Sequence, residues 1–188
     1  MSKLRIAEIF HSIQGEGHWL GVPSTFVRVS GCNLRCVWCD TPYASWSPEG
    51  PSLSLDEILN KIRHRHVVVT GGEPMLFEPV VELCRQLRAQ GRTITIETAG
   101  TVFQDLECDL MSISPKLANS TPTGDAWEAR HESVRQDRVP LRRLLAAYDC
   151  QLKFVIADLA DLAEVEELLA DVGPVEPERI FLIDRKST

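Results

Sequence analysis

Apolar runs of strand length recur along the chain and alternate with segments of helical period. Strands are predicted at 4–10, 25–30, 67–70, 93–98, 110–114, 151–156 and 179–183, each short and bounded by Gly, Pro or charged positions. Between them, Ser54-Leu55-Asp56-Glu57 is a capping box that opens a helix through SLDEILNKIRH. EPVVELCRQLRAQG carries Pro79 in its first turn and stops at Gly91, and LADLAEVEELLADVG predicts a third helix over 159–173. Strand, helix and strand repeated along one chain imply an α/β fold with a mainly parallel sheet and right-handed crossovers. No linker, internal repeat or low-complexity segment interrupts the pattern, so residues 1–188 are expected to form a single domain.

Composition narrows the setting. Hydrophobic residues at 44% and charged residues at 25% are globular values, and no apolar run approaches the ~20 residues that span a bilayer. The N-terminal MSKLRIAEIF has neither an apolar signal core nor a small-residue cleavage site, which predicts a cytoplasmic protein without a membrane partner. Thiols there stay reduced, favouring metal or cluster binding over disulfides. A net charge of −7 argues against a nucleic-acid-binding face.

The chemistry concentrates at SGCNLRCVWCDT, residues 30–41, where Cys32, Cys36 and Cys39 fall within eight positions. Structural zinc and simple iron–sulfur sites want four ligands, and this set stops at three. Cys84, Cys108 and Cys150 are isolated in helix- or strand-like stretches and are expected to pack in the core. The trio therefore either borrows a His or Asp, or holds a cluster with one iron left open. The other unusual residues also follow predicted strands: Gly71-Gly72-Glu73-Pro74, Glu97-Thr98 and Ser114-Pro115-Lys116. In a parallel α/β sheet such ends share one face, where ligands bind.

Cys-x3-Cys-x2-Cys together with Thr70-Gly71-Gly72-Glu73-Pro74 resembles the signature of the radical S-adenosylmethionine superfamily. The resemblance implies a partial TIM-like barrel of mainly parallel strands, with a cluster loop over 31–46. It also implies a 4Fe–4S cluster on Cys32, Cys36 and Cys39, whose open iron chelates S-adenosylmethionine. Gly71, Gly72, Glu73, Ser114, Pro115 and Lys116 become cofactor-binding candidates. The glycines let backbone approach the cofactor, and Glu73 adds a charge-assisted acceptor. Trp38 either leans on the adenine or shields the cluster.

Phe10-His11-Ser12-Ile13-Gln14-Gly15-Glu16-Gly17, then Gly21-Val22-Pro23-Ser24 and Phe26-Val27-Arg28, with Cys39-Asp40-Thr41, is similar to the pattern of the 7-carboxy-7-deazaguanine synthases. That family contracts the ring of 6-carboxy-5,6,7,8-tetrahydropterin with loss of ammonia, on the route to queuosine and related 7-deazapurines. The resemblance implies Ile13, Gln14, Gly15, Glu16, Arg28 and Thr70 as substrate contacts, Arg28 taking the substrate carboxylate. It also implies Mg²⁺ at Thr41, an electron donor such as flavodoxin or ferredoxin, and a homodimer. Relatives continue beyond a strand like 178–182 into a Met-Pro-type loop and a terminal segment, whereas here the chain stops at Ile183-Asp184-Arg185-Lys186-Ser187-Thr188. Late contacts near Ile183 are therefore not carried over. An activase acting on a protein glycine would share the cysteines and glycine loop but not the 14–17 stretch or Arg28. A non-enzymatic metal or electron-transfer module would explain the cysteines alone.

Overall fold

The computed structural model describes residues 2–185. Its strands are β1 (Lys3–Ile13), β2 (Pro23–Val29), β3 (Ser52–Ser54), β4 (His66–Gly71), β5 (Thr93–Thr98), β6 (Leu110–Ile113), β7 (Cys150–Ile156) and β8 (Ile180–Asp184). They join one sheet in the order β3-β1-β2-β4-β5-β6-β7-β8. β1 pairs antiparallel with β2 and β3, and every pairing from β2 to β8 is parallel. The α-helices are α1 (Leu55–Leu59), α2 (Pro79–Ala89), α3 (Glu128–Gln136), α4 (Val139–Ala147) and α5 (Asp161–Val172).

The expected α/β architecture with mainly parallel strands is therefore present, and its cause is visible in the strands. β4 is buried along nearly its whole length and reads as a continuous apolar run, as a strand covered on both faces must. α2 buries Val80, Leu83, Cys84 and Leu87, the i, i+3, i+4, i+7 stripe of a helix lying on a sheet. Cys84 is fully buried, and Cys108 and Cys150 pack against the same core. All six cysteines are free.

Three local expectations are corrected. The capping box at Ser54 and Glu57 forms, but α1 ends at Leu59 instead of continuing through His64. The backbone tightens there into i→i+3 bonds from Lys61 to Ile58 and from Ile62 to Leu59. The next two N–H groups, of Arg63 and His64, then donate to Thr25 Oγ1, each at 3.1 Å. α3 and α4 are both unpredicted, and in α3 His131 and Arg135 turn inward. A polar i, i+4 pair leaves no trace in a hydrophobic period. β1 runs to Ile13, beyond the predicted 4–10, because Ser12 and Ile13 pair with Ser24 and Pro23. The expectations for 186–188 fall outside the described residues.

Candidate active site

A cavity of ≈ 410 Å³ opens where the parallel strands end, walled by residues from β1, β2, β4, β5, β6, β7 and β8 and the loops that follow them. It brings together Cys32, Cys36, Cys39, Trp38, Thr41, Gly71, Gly72, Ser114, Lys116, Ile13, Gln14, Gly15, Glu16, Arg28 and Thr70. Glu73 and Pro115 are absent from its wall.

One end is thiol-rich. Burial raises the Cys32 thiol to about 12, and burial also raises that of Cys36, with Lys116 opposing. Donors stand ready for thiolate charge: Leu34 N–H donates to Cys32 Sγ at 3.4 Å, and the Ser45 hydroxyl lies 3.0 Å from Cys39 Sγ. Backbone pins the loop that carries them. Gly31 N–H donates to Ala44 O, Glu73 N–H to Gly31 O, and Val37 N–H to Ser120 O, at 2.8 to 2.9 Å. Behind the loop, Arg35 N–H donates to the buried His131 Nδ1 at 3.0 Å. The Arg35 guanidinium donates to Cys32 O and Leu34 O and stacks on Trp127, its carbon 4.1 Å from the ring centre.

The glycine loop explains this seating. A Cβ on Gly72 would stand 2.2 Å from Gly31 O and 2.6 Å from Ala44 O, and one on Gly71, at φ +139°, would stand 2.1 Å from Val29 O. Gly72 thus lets the β4 loop touch the cysteine loop, and Gly71 lets it pass close to the end of β2, roles additional to the backbone approach expected from the sequence.

Glu73 is corrected. Its side chain is fully buried and spoken for: Oε1 accepts from Thr98 Oγ1 at 2.8 Å and Met75 N–H at 3.0 Å, and Oε2 from Ala99 N–H at 2.8 Å. It ties the β4 loop to the end of β5 instead of facing the cavity. Burial raises its pKa against those three donors. Trp38 lines the cavity with Nε1 donating to Asn119 O at 3.0 Å, and Lys116 Nζ lies 5.4 Å from its ring centre while donating to Ser114 Oγ at 2.8 Å.

The other end is a charged polar network. Arg28 Nε donates to Glu8 Oε1 at 2.7 Å, and the Tyr43 hydroxyl donates to the same oxygen at 2.7 Å. Gln14 Nε2 and Thr70 Oγ1 donate to the two oxygens of Glu97 at 3.1 and 2.9 Å. Lys153 Nζ donates to Glu16 Oε2 at 3.0 Å and stands 3.7 Å from Glu97 Oε1. Although burial alone would lower it, Glu97 and Glu16 raise the pKa of Lys153. Sequence reasoning missed Glu8 and Lys153 as site residues, and it put Glu97 at the ligand-binding strand ends without giving it a role. A polar residue closing an apolar strand, as in TITIE, was the signal for Glu97.

The three thiols are donors of the kind that iron–sulfur clusters take. Three thiols face one cavity without a fourth cysteine in its wall. Among the described residues no three His, Cys, Asp or Glu side chains converge on the position of one ion. Thr41, buried beside Cys39, donates from Oγ1 to Asp40 Oδ1 at 3.3 Å.

Residues 26–135 match the family model described as the Radical SAM superfamily. The chain is 46% identical to a 7-carboxy-7-deazaguanine synthase of Halobacterium salinarum, covering 94% of this chain and 73% of that protein. It is 43% identical to one of Rhodopirellula baltica, covering 89% and 68%. Among solved structures it is similar to a crystal structure of QueE from Escherichia coli, with a TM-score of 0.72 and 26% identity over 96% of this chain and 83% of that one.

Proposed function

The chain belongs to the 7-carboxy-7-deazaguanine synthases of the radical SAM superfamily, and from that membership we propose how its cavity divides the work. The reaction is conversion of 6-carboxy-5,6,7,8-tetrahydropterin to 7-carboxy-7-deazaguanine with release of ammonia. A reduced 4Fe–4S cluster with S-adenosylmethionine, when bound, supplies a carbon radical that removes a hydrogen atom from the substrate. Everything else falls to positioning, desolvation and charge.

Cys32, Cys36 and Cys39 hold the cluster, leaving one iron free of protein thiolate. Gly71, Gly72, Ser114 and Lys116 border the S-adenosylmethionine side, with Trp38 beside Lys116 screening the thiols from solvent. Pro115 supports that turn from outside the wall, and Glu73 acts indirectly, by holding the β4 loop. Arg28 takes the substrate carboxylate: among the described residues Glu8 occupies only its Nε, leaving the Nη groups to form a charge-assisted pair. Gln14, Glu16, Thr70 and Glu97 face the donor-rich pterin ring, with Ile13 and Gly15 at the rim. Thr41 binds Mg²⁺ when substrate oxygens complete its shell, since one hydroxyl alone is a poor magnesium site.

The observation that carries the division is one cavity with three cysteine thiols at one end and, at the other, the Arg28–Glu8 pair beside the Glu16–Lys153–Glu97 network. A flavodoxin or ferredoxin donor, a homodimer, a single domain and a cytoplasmic setting belong to this reading. The last rests on the need of cluster ligands for reduced thiols.

The test is anaerobic reconstitution, reduction and incubation with S-adenosylmethionine and the carboxytetrahydropterin. Formation of 7-carboxy-7-deazaguanine supports the reading. Cofactor cleavage with no consumption of the pterin overturns the substrate, and no cleavage at all overturns the radical chemistry. Thr41→Val should lower activity and abolish its magnesium dependence without affecting the cluster.

A further inference from the structure

β7 presents Gln151 and Lys153 to the same side, two residues apart, and both reach the loop that follows β1. Gln151 Oε1 accepts from His18 N–H at 2.8 Å, and its Nε2 donates to Ser112 Oγ at 2.8 Å. Lys153 Nζ binds Glu16 of that loop and lies within ion-pair distance of Glu97 on β5. The lysine side chain is only 10% exposed. A buried ammonium is costly unless paired, and this one is shared by two carboxylates. Neither the cysteine loop nor the glycine loop accounts for it.

We propose that Lys153 is a positioning residue for substrate recognition: its ammonium holds Glu16, from the loop after β1, and Glu97, from β5, as a pair of acceptors facing the donor-rich edge of the pterin. The inference rests on the substrate proposed above. An ionised carboxylate only accepts, whereas a protonated one turns an O–H toward ring N–H groups and loses acceptor capacity. Glu97 is already oriented by Gln14 and Thr70, so its direction is set and its charge is what remains to be secured. The charged and titratable groups around it are Glu16 from the β1 loop, Arg28 from β2, His66 from β4 and Lys153 from β7. Burial alone would raise the Glu97 pKa. Lys153 is the largest opposing influence, and the net result lies below the ordinary carboxylate value.

The sign follows. With its folded-state pKa depressed, Glu97 stays ionised as pH falls toward neutrality and below. Without Lys153, burial dominates, the pKa rises, and acceptor strength is lost as pH falls through that raised value.

The experiment is calorimetric titration of reconstituted, S-adenosylmethionine-loaded protein with 6-carboxypterin, a stable oxidised analogue, from about pH 8 to about pH 6. Wild-type affinity should be nearly flat. Lys153→Met should bind more weakly, by about 100-fold at the acid end and markedly less at the alkaline end. Lys153→Arg should restore the flat profile, and adding Glu97→Gln to Lys153→Met should remove the pH dependence. Cluster absorbance and S-adenosylmethionine affinity monitor folding, and Lys153→Gln replaces Lys153→Met if the latter does not fold. A loss equal at every pH, as a merely structural role would give, overturns the proposal, as does unchanged affinity. Failure of the wild type to bind the pterin at any pH overturns the substrate reading itself.

Discussion

The two ends of the cavity are built by different means. At the thiol end, residues 31–45 meet the 71–73 loop through main-chain hydrogen bonds and glycines packed against carbonyl oxygens. At the polar end, side chains from β2, β4, β5, β7 and the loop after β1 meet through ion pairs and hydrogen bonds spanning 83 residues for Gln14–Glu97 and 137 for Lys153–Glu16. Backbone contacts tolerate exchange of side chains but not of glycine. Side-chain ion pairs give way when one partner is replaced, and the other is left buried and charged. The end proposed to generate the radical is therefore mechanically stiff, while the end proposed to choose the substrate is electrostatically tuned.

The strongest way to break this contrast is at the cysteines. Cys32→Ala, Cys36→Ala and Cys39→Ala should each abolish cluster absorbance and all turnover, whereas Cys84→Ala, Cys108→Ala and Cys150→Ala should keep both. Loss of the cluster from one of the latter three, with circular dichroism unchanged, would reveal a fourth thiolate and remove the open iron. Next in size, Arg28→Ala should weaken pterin binding by roughly 2 to 5 kcal/mol, the cost of leaving a buried charge unpaired. Cofactor cleavage in the absence of substrate should persist. Equal damage to both would mean that the two ends are not separable.

Gly72→Ala tests stiffness. Its methyl group would have to displace backbone of the cysteine loop, so the variant should lose about 1 to 3 kcal/mol of stability by thermal unfolding and load less cluster. Full stability with a full cluster would mean that the loop yields easily. The smallest effect on ligand binding belongs to Glu73→Gln. Because the carboxylate is enclosed by Thr98, Ala99 and Met75, the variant should unfold at lower temperature yet bind S-adenosylmethionine nearly as well as wild type. A large fall in cofactor affinity with unchanged unfolding would restore the direct contact expected from the sequence.

Sequence by itself determined the alternation of strands and crossovers, the strand-end placement of the chemistry and the three-thiol set, because each is written in neighbouring residues: a run of Val, a Pro-to-Gly helix, a spacing of four and three. It also placed Arg28 and the 14–17 loop at the site through family resemblance. Tertiary structure alone decided what those groups face. That Lys153 on β7 reaches Glu16 and Glu97, that Glu8 claims one edge of Arg28, and that Glu73 turns away from the cavity all depend on strand register and on which partners lie within about 4 Å, the distance over which an ion pair counts. The inward face of α3 was hidden for the same reason, since His131 and Arg135 are buried only because Arg35, Ser120, Glu132 and Glu164 satisfy them. Local pattern reports where the chain is apolar, whereas the burial of a polar group depends on partners that folding brings from elsewhere.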